Sequence, residues 1–188
     1  MREASFSRRK FLISASSFIT ITAIPSFATP VLSLARPHFS SRKLSLYNIH
    51  SKEDFEGVYW REGHYDEEAL LRLAHLLRDR RNNKQYFVDT RLFDVLHHLH
   101  SILGTRDPFH VICGYRSPET NAALHKKNKG VAANSLHVKG KAIDIRHEHI
   151  SLKNLCHSAR SLKAGGVGYY PKSNFIHVDI RPKPIFWT

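Results

Sequence analysis

The sequence predicts an α+β fold in which helices cover an antiparallel sheet. Two long stretches, residues 65–81 and 89–104, repeat leucine at helical spacing. Later come short stretches of strand length: "KAIDIR" (141–146), "VGYY" (167–170) and "FIHVDI" (175–180). The long helices lie first and most short strands last, which separates this class from a regular βαβ alternation. With 188 residues, 41% of them hydrophobic and 24% charged, the chain has the material for one core.

The N-terminus is set aside first. "SRRKFL" (7–12) is a twin-arginine pair heading the apolar run "FLISASSFITITAI", and "PSFATP" follows with Ser26 and Ala28 as small residues before a cleavage point. Residues 1–28 thus resemble a Tat export signal cleaved after Ala28, which implies the Tat machinery as partner, a periplasmic destination and no stable membrane anchor after cleavage. An uncleaved N-terminal anchor is the alternative. Loss of this segment removes Arg2, Arg8, Arg9, Lys10 and Glu3, so most of the net charge of +13 belongs to the remaining chain. Such a balance suits a polyanionic neighbour. Nucleic acid is disfavoured, because neither a stacking-aromatic motif nor a basic recognition helix is present and export argues against it.

Residues 29–43 read as a linker and 44–188 as the domain. "LSLYNIH" (44–50) and "EDFEGVYW" (53–60) alternate and form a hairpin across a turn. Helix 65–81 takes Asp66 as its N-cap, and helix 89–104 takes Asp89 or Thr90, with Gly104 as its stop. His97, His98 and His100 are histidines on a helix face, with no acidic or cysteine partner at ligand spacing. "PFHVICGYRS" (108–117) is a strand leaving into a loop, and 117–128 is a helix capped by Ser117 with Pro118 at its first position. Residues 151–163 form the last helix, ended by Gly165 and Gly166. Export would allow Cys113 and Cys156 to pair, but they sit in an apolar run and a helical pattern, settings that favour two buried thiols.

Strand alternation locates a site. In "KAIDIR", Ile143 and Ile145 face one way and Asp144 the other; in "FIHVDI", Ile176, Val178 and Ile180 face one way, His177 and Asp179 the other. If the strands are neighbours, facing Cβ atoms lie about 4.5–5.5 Å apart, and one metal ion reaches both Asp144 and His177. His137 precedes Asp144 by a step containing Gly140, so the chain can fold back to offer a third ligand. The alternative is that Asp144 pairs with Arg146 or Arg116.

The pattern Ser135-x-His137-x-x-Gly140-x-Ala142-x-Asp144, with His177 later on a strand, resembles the zinc site of the D-alanyl-D-alanine peptidases. That group includes the VanX-type dipeptidases and shares its fold with the hedgehog domain. "GYRSPETNAAL", "NSLHVKGKAIDIR" and "GGVGYYPKSNFIHVDIRP" are similar to segments of the periplasmic murein endopeptidases of the YcbK/MepK type. The resemblance implies a small sheet with a zinc site on its face and one Zn2+ per chain, held by His137, Asp144 and His177. It implies Arg116 as the group that steadies negative charge on the substrate carbonyl, and Ser135 and Tyr115 as pocket wall. The expected activity is zinc-dependent hydrolysis of peptide cross-links between peptidoglycan stems; the alternative is a non-catalytic, zinc-containing peptidoglycan-binding module. VanX-type enzymes carry a glutamate general base three residues before the last ligand, where this chain has Asn174. Asp179 is the substitute, either as a base or as a carboxylate that orients a ligand histidine.

Overall fold

A computed structural model describes residues 40–188. The signal and most of the linker expected from the sequence lie outside the described residues. The first strand, β1, spans Ser41–Asn48.

β1 pairs antiparallel with β2 (Asp54–Arg61), the hairpin read from the sequence. β2 continues into a two-residue strand, β3 (His64–Tyr65). Helix α1 is Glu67–Leu76, capped by the Asp66 side chain, with Glu67 and Glu68 in its first turn. It stops before residue 81 because Asp79 folds the chain away. Asp79 is buried and accepts from the backbone N–H groups of Arg81 and Ser117, so the segment after α1 is tied to the chain near residue 117. Helix α2 is Thr90–Leu103, with Asp89 as cap and left-handed Gly104 as terminator. Then come β4 (Phe109–Cys113), α3 (Pro118–Lys127, capped by Ser117), β5 (Ala142–Arg146), α4 (Leu152–Ser161), β6 (Gly166–Tyr170), β7 (Phe175–Asp179) and β8 (Ile185–Trp187).

The fold is α+β as expected, but its sheet is neither small nor wholly antiparallel. Eight strands form one sheet in the order β3-β2-β1-β4-β5-β7-β6-β8. β1 pairs parallel with β4, and β6 with β8. Parallel neighbours need a long crossover, which α1 and α2 supply between β1 and β4.

The alternating strands put Leu44, Leu46, Phe109, Val111, Ile143, Ile145, Ile176 and Val178 into the core, each at most 2% exposed. Leu73, Leu92, Leu96, Leu99 and Leu155 of α1, α2 and α4 complete it. The three α2 histidines each bond a backbone carbonyl: His97 that of Lys43, His98 that of Asp94, His100 that of Asp107. Among the described residues no helix is long and apolar enough to cross a membrane.

Candidate metal centre

The sheet register brings Asp144 directly opposite His177 on β5 and β7. Both lie on the face away from the aliphatic core. His137 arrives from a short 3-10 turn, Leu136–Lys139, which the sequence reading did not foresee. Gly140 ends that turn at φ 62°, and a side chain there would collide with the Phe87 carbonyl. The Gly140 carbonyl accepts from Asp89 N–H, which anchors the turn to the start of α2.

Three atoms now meet. His137 Nε2 is 3.2 Å from Asp144 Oδ1 and 3.2 Å from His177 Nδ1, and His177 Nδ1 is 2.9 Å from Asp144 Oδ1. Ligand bonds of about 2.0–2.1 Å in a tetrahedron give edges of about 3.3 Å. The triangle therefore has the size of one face of a tetrahedral metal site.

The far side of each imidazole fixes its tautomer. His137 Nδ1 donates to the Gly114 carbonyl at 2.7 Å. A carbonyl only accepts, so Nδ1 carries a hydrogen, and Nε2 is the nitrogen a metal would take once it has lost its proton. His177 Nε2 donates to Asp179 Oδ2 at 3.1 Å, which frees Nδ1 in the same way. This is the outer support that metal-binding histidines need. Burial opposes charge on both His137 and Asp144, but their attraction outweighs it. The Asp144 carboxyl is held well below the usual carboxylate range, and His137 lies well above an ordinary imidazole.

Of the two roles expected for Asp179, its surroundings favour the orienting carboxylate. Its side chain is fully buried behind His177. Oδ1 accepts from Gly166 N–H and from Arg181 N–H, and Arg181 also clasps the carboxylate through Nε and Nη2. Burial alone would raise its pKa, yet hydrogen bonds from His177 and Arg181 hold it well below the usual range. Such a carboxylate has no free lone pair for a water on the far side of the imidazole. Asp179→Asn is therefore expected to weaken zinc binding by about 10–100-fold, together with turnover. Chelator competition checks this; loss of turnover at unchanged affinity would restore the base.

Ser135 is buried, and its hydroxyl accepts from His137 N–H, so it shapes the ligand turn. Tyr115 is buried too, stacked at 4.9 Å beneath Tyr86. Tyr86, 48% exposed, supplies the aromatic surface. Asn174 is an exposed residue in the left-handed conformation at φ 53°, ending the turn before β7.

Arg116 lies beside Cys113. Its Nη2 donates to Cys113 Sγ at 3.5 Å, and its Nη1 to Asn121 Oδ1 at 3.2 Å. Its Nε is buried and unpartnered, and no ion pair among the described residues involves it. A guanidinium held without a carboxylate is a ready receptor for negative charge.

Cys113 was missed as a site residue. It lies opposite Asp144 on β4, and its thiol falls within 4.8 Å of ligand atoms of His137 and Asp144. Both cysteines are unpaired, and Cys156 is in the core while Cys113 is half-buried. Burial pushes the Cys113 thiol up, but His137 and Arg116 outweigh it and bring its pKa below the ordinary value. Two donor sets thus share His137 and Asp144. The triangle with His177 has the tighter fit and the better-supported imidazoles. Cys113→Ser is expected to leave zinc stoichiometry unchanged, and the cobalt-substituted protein to lack a thiolate charge-transfer band; such a band would place sulfur on the metal.

The family model described as peptidoglycan L,D-endopeptidase MepK matches residues 36–184. The peptidoglycan L,D-endopeptidase MepK of Escherichia coli strain K12 is 42% identical over 175 residues, covering 93% of this chain and 94% of its own. The relative so named from Shigella flexneri shows the same identity and coverage. The probable peptidoglycan L,D-endopeptidase MepK of Haemophilus influenzae is 39% identical over 176 residues, covering 93% and 92%. No solved structure matches the chain.

Proposed function

This chain belongs to the peptidoglycan L,D-endopeptidase MepK family and is a peptidase, and from that premise we propose that it is a zinc-dependent murein endopeptidase of the periplasm. The bond cut is the diaminopimelate–diaminopimelate cross-link between stem peptides, in keeping with the L,D specificity in its relatives' names. The observation that carries the zinc assignment is the donor triangle with sides of 2.9–3.2 Å.

His137, Asp144 and His177 would hold the metal. When bound, it supplies Lewis acidity towards the scissile carbonyl and lowers the pKa of water. The protein does the rest by positioning. Gly114 O keeps the His137 proton on Nδ1, and Asp179 keeps the His177 proton on Nε2. Arg116 offers N–H groups to the carbonyl oxygen as negative charge grows there, an electrostatic contribution that needs no reorganisation. Tyr86, exposed over Tyr115, offers apolar surface to the stem peptide.

A second reading, a zinc-containing module that binds peptidoglycan without cutting it, draws on Asn174 in place of a glutamate. Digestion of purified sacculi separates the two. The endopeptidase releases shortened muropeptides, stops with a chelator and resumes with added zinc. Binding to sacculi without release, by zinc-loaded protein, would favour the module.

A further inference from the structure

We propose that Trp187, in the C-terminal strand β8, is a positioning residue for the metal ligand His177. The proposal rests on the reading of His137, Asp144 and His177 as zinc ligands. β8 lies outside the residues matched by the family model, which end at 184.

The strand is poorly explained as core. Ile185 and Phe186 are 49% and 44% exposed, and Trp187 is the residue that turns inwards. β8 pairs with β6 so that Trp187 lies beside Gly168, and Gly168 in turn faces His177 on β7. The register therefore runs Cys113, Asp144, His177, Gly168, Trp187 across five neighbouring strands. Gly168 has no side chain to hold the indole away. A Cβ there would lie 2.6 Å from indole Cε2, so the ring occupies the space that any other residue would fill. Through that gap the indole reaches the His177 imidazole, with ring centroids 5.4 Å apart and planes at 47°.

Trp187 is fixed by three more contacts, two on its indole and one on its backbone. Its Nε1–H donates to Tyr170 Oη at 2.9 Å. Arg160 Nη2 donates to the Trp187 carbonyl at 3.3 Å. The Arg181 guanidinium lies 5.0 Å from the indole ring centre. Arg181 is also the clasp on Asp179, and Asp179 accepts from His177. A closed circuit results: His177 to Asp179, Asp179 to Arg181, Arg181 to Trp187, Trp187 back to His177. The hydrogen bond to Asp179 fixes one end of the imidazole, and a ring held at one end can still swing. The indole against its side removes that freedom and keeps Nδ1 on the triangle.

The test uses purified protein and zinc, with affinity read by competition against a chromophoric chelator. Trp187→Ala should bind zinc about tenfold or more weakly, the scale seen when support around a ligand is lost. Trp187→Phe, which keeps a ring beside His177, should recover most of that loss. Melting of the metal-free forms shows whether the fold survives, and Trp187→Phe decides if Trp187→Ala does not fold. A spectroscopic arm is independent of affinity. In a Trp60→Phe background, one equivalent of Cu2+ should quench the remaining Trp187 emission. Trp60, on β2 and four strands from β7, is at least about 19 Å away by strand spacing alone and should respond little in the Trp187→Phe protein. Wild-type affinity in Trp187→Ala, or no quenching by bound Cu2+, would overturn the proposal while leaving the zinc reading intact. Wild-type protein that takes up no zinc would overturn both.

Discussion

Replacing His137 with alanine is expected to abolish tight zinc binding and to lower turnover by about a thousandfold or more. His137 contributes one corner of the donor triangle and is 3% exposed, so no water-borne group can take its place without rebuilding the turn that carries it. Its removal also leaves Asp144 buried beside one imidazole instead of two. Lewis-acid stabilisation amounts to several kcal/mol of a hydrolytic barrier, and about 1.4 kcal/mol is a factor of ten in rate. Metal content measured on the purified variant, beside its rate on muropeptide dimers, checks both halves. His97→Ala is the matched control, because His97 bonds the Lys43 carbonyl on the other side of the core. Full zinc occupancy in His137→Ala would remove the triangle as the metal centre.

Arg116→Ala should separate chemistry from metal binding. Loss of a donor aimed at developing negative charge costs about 100–1,000-fold in kcat. Arg116 is not in the donor triangle, and its nearest partners are the Cys113 thiol and the Asn121 amide. Zinc stoichiometry should therefore survive while kcat falls and KM changes less. Arg116→Lys should recover little, since a point charge does not reproduce the guanidinium's fork. An Arg116→Ala enzyme with wild-type kcat would refute the role.

The part of the site that rests on local pattern was legible in the sequence. Asp144 and His177 lie among branched aliphatics at a period of two, so the strand that buries Ile143 and Val178 must turn them to the other face. Their direct pairing then follows from adjacency of β5 and β7. Helices α1, α2 and α3 were legible through their caps, Asp66, Asp89 and Ser117. What escaped depends on contacts remote in the chain. The parallel pairing of β1 with β4 carries no local mark. β3 and β8 are two and three residues long, too short for any periodicity. The 3-10 turn bearing His137 is four residues long and owes its shape to Ser135 and to Gly140 packed on Phe87. The choice between the two roles of Asp179 depends on Arg181 and the Gly166 amide, remote or irregular partners that occupy its oxygens. Cys113 read as a buried thiol in an apolar run, and the irregular register between Val111 and Cys113, with Asp144 as its cross-strand neighbour, is what puts it at the site.

The most direct test is mass analysis of a defined diaminopimelate–diaminopimelate-linked muropeptide dimer after incubation with the zinc-loaded protein. The site described here predicts two monomers whose masses sum to the dimer plus one water, formed with zinc and absent with chelator or with His137→Ala. An intact dimer after treatment with fully zinc-loaded protein, or equal cleavage by the chelated protein, would contradict it.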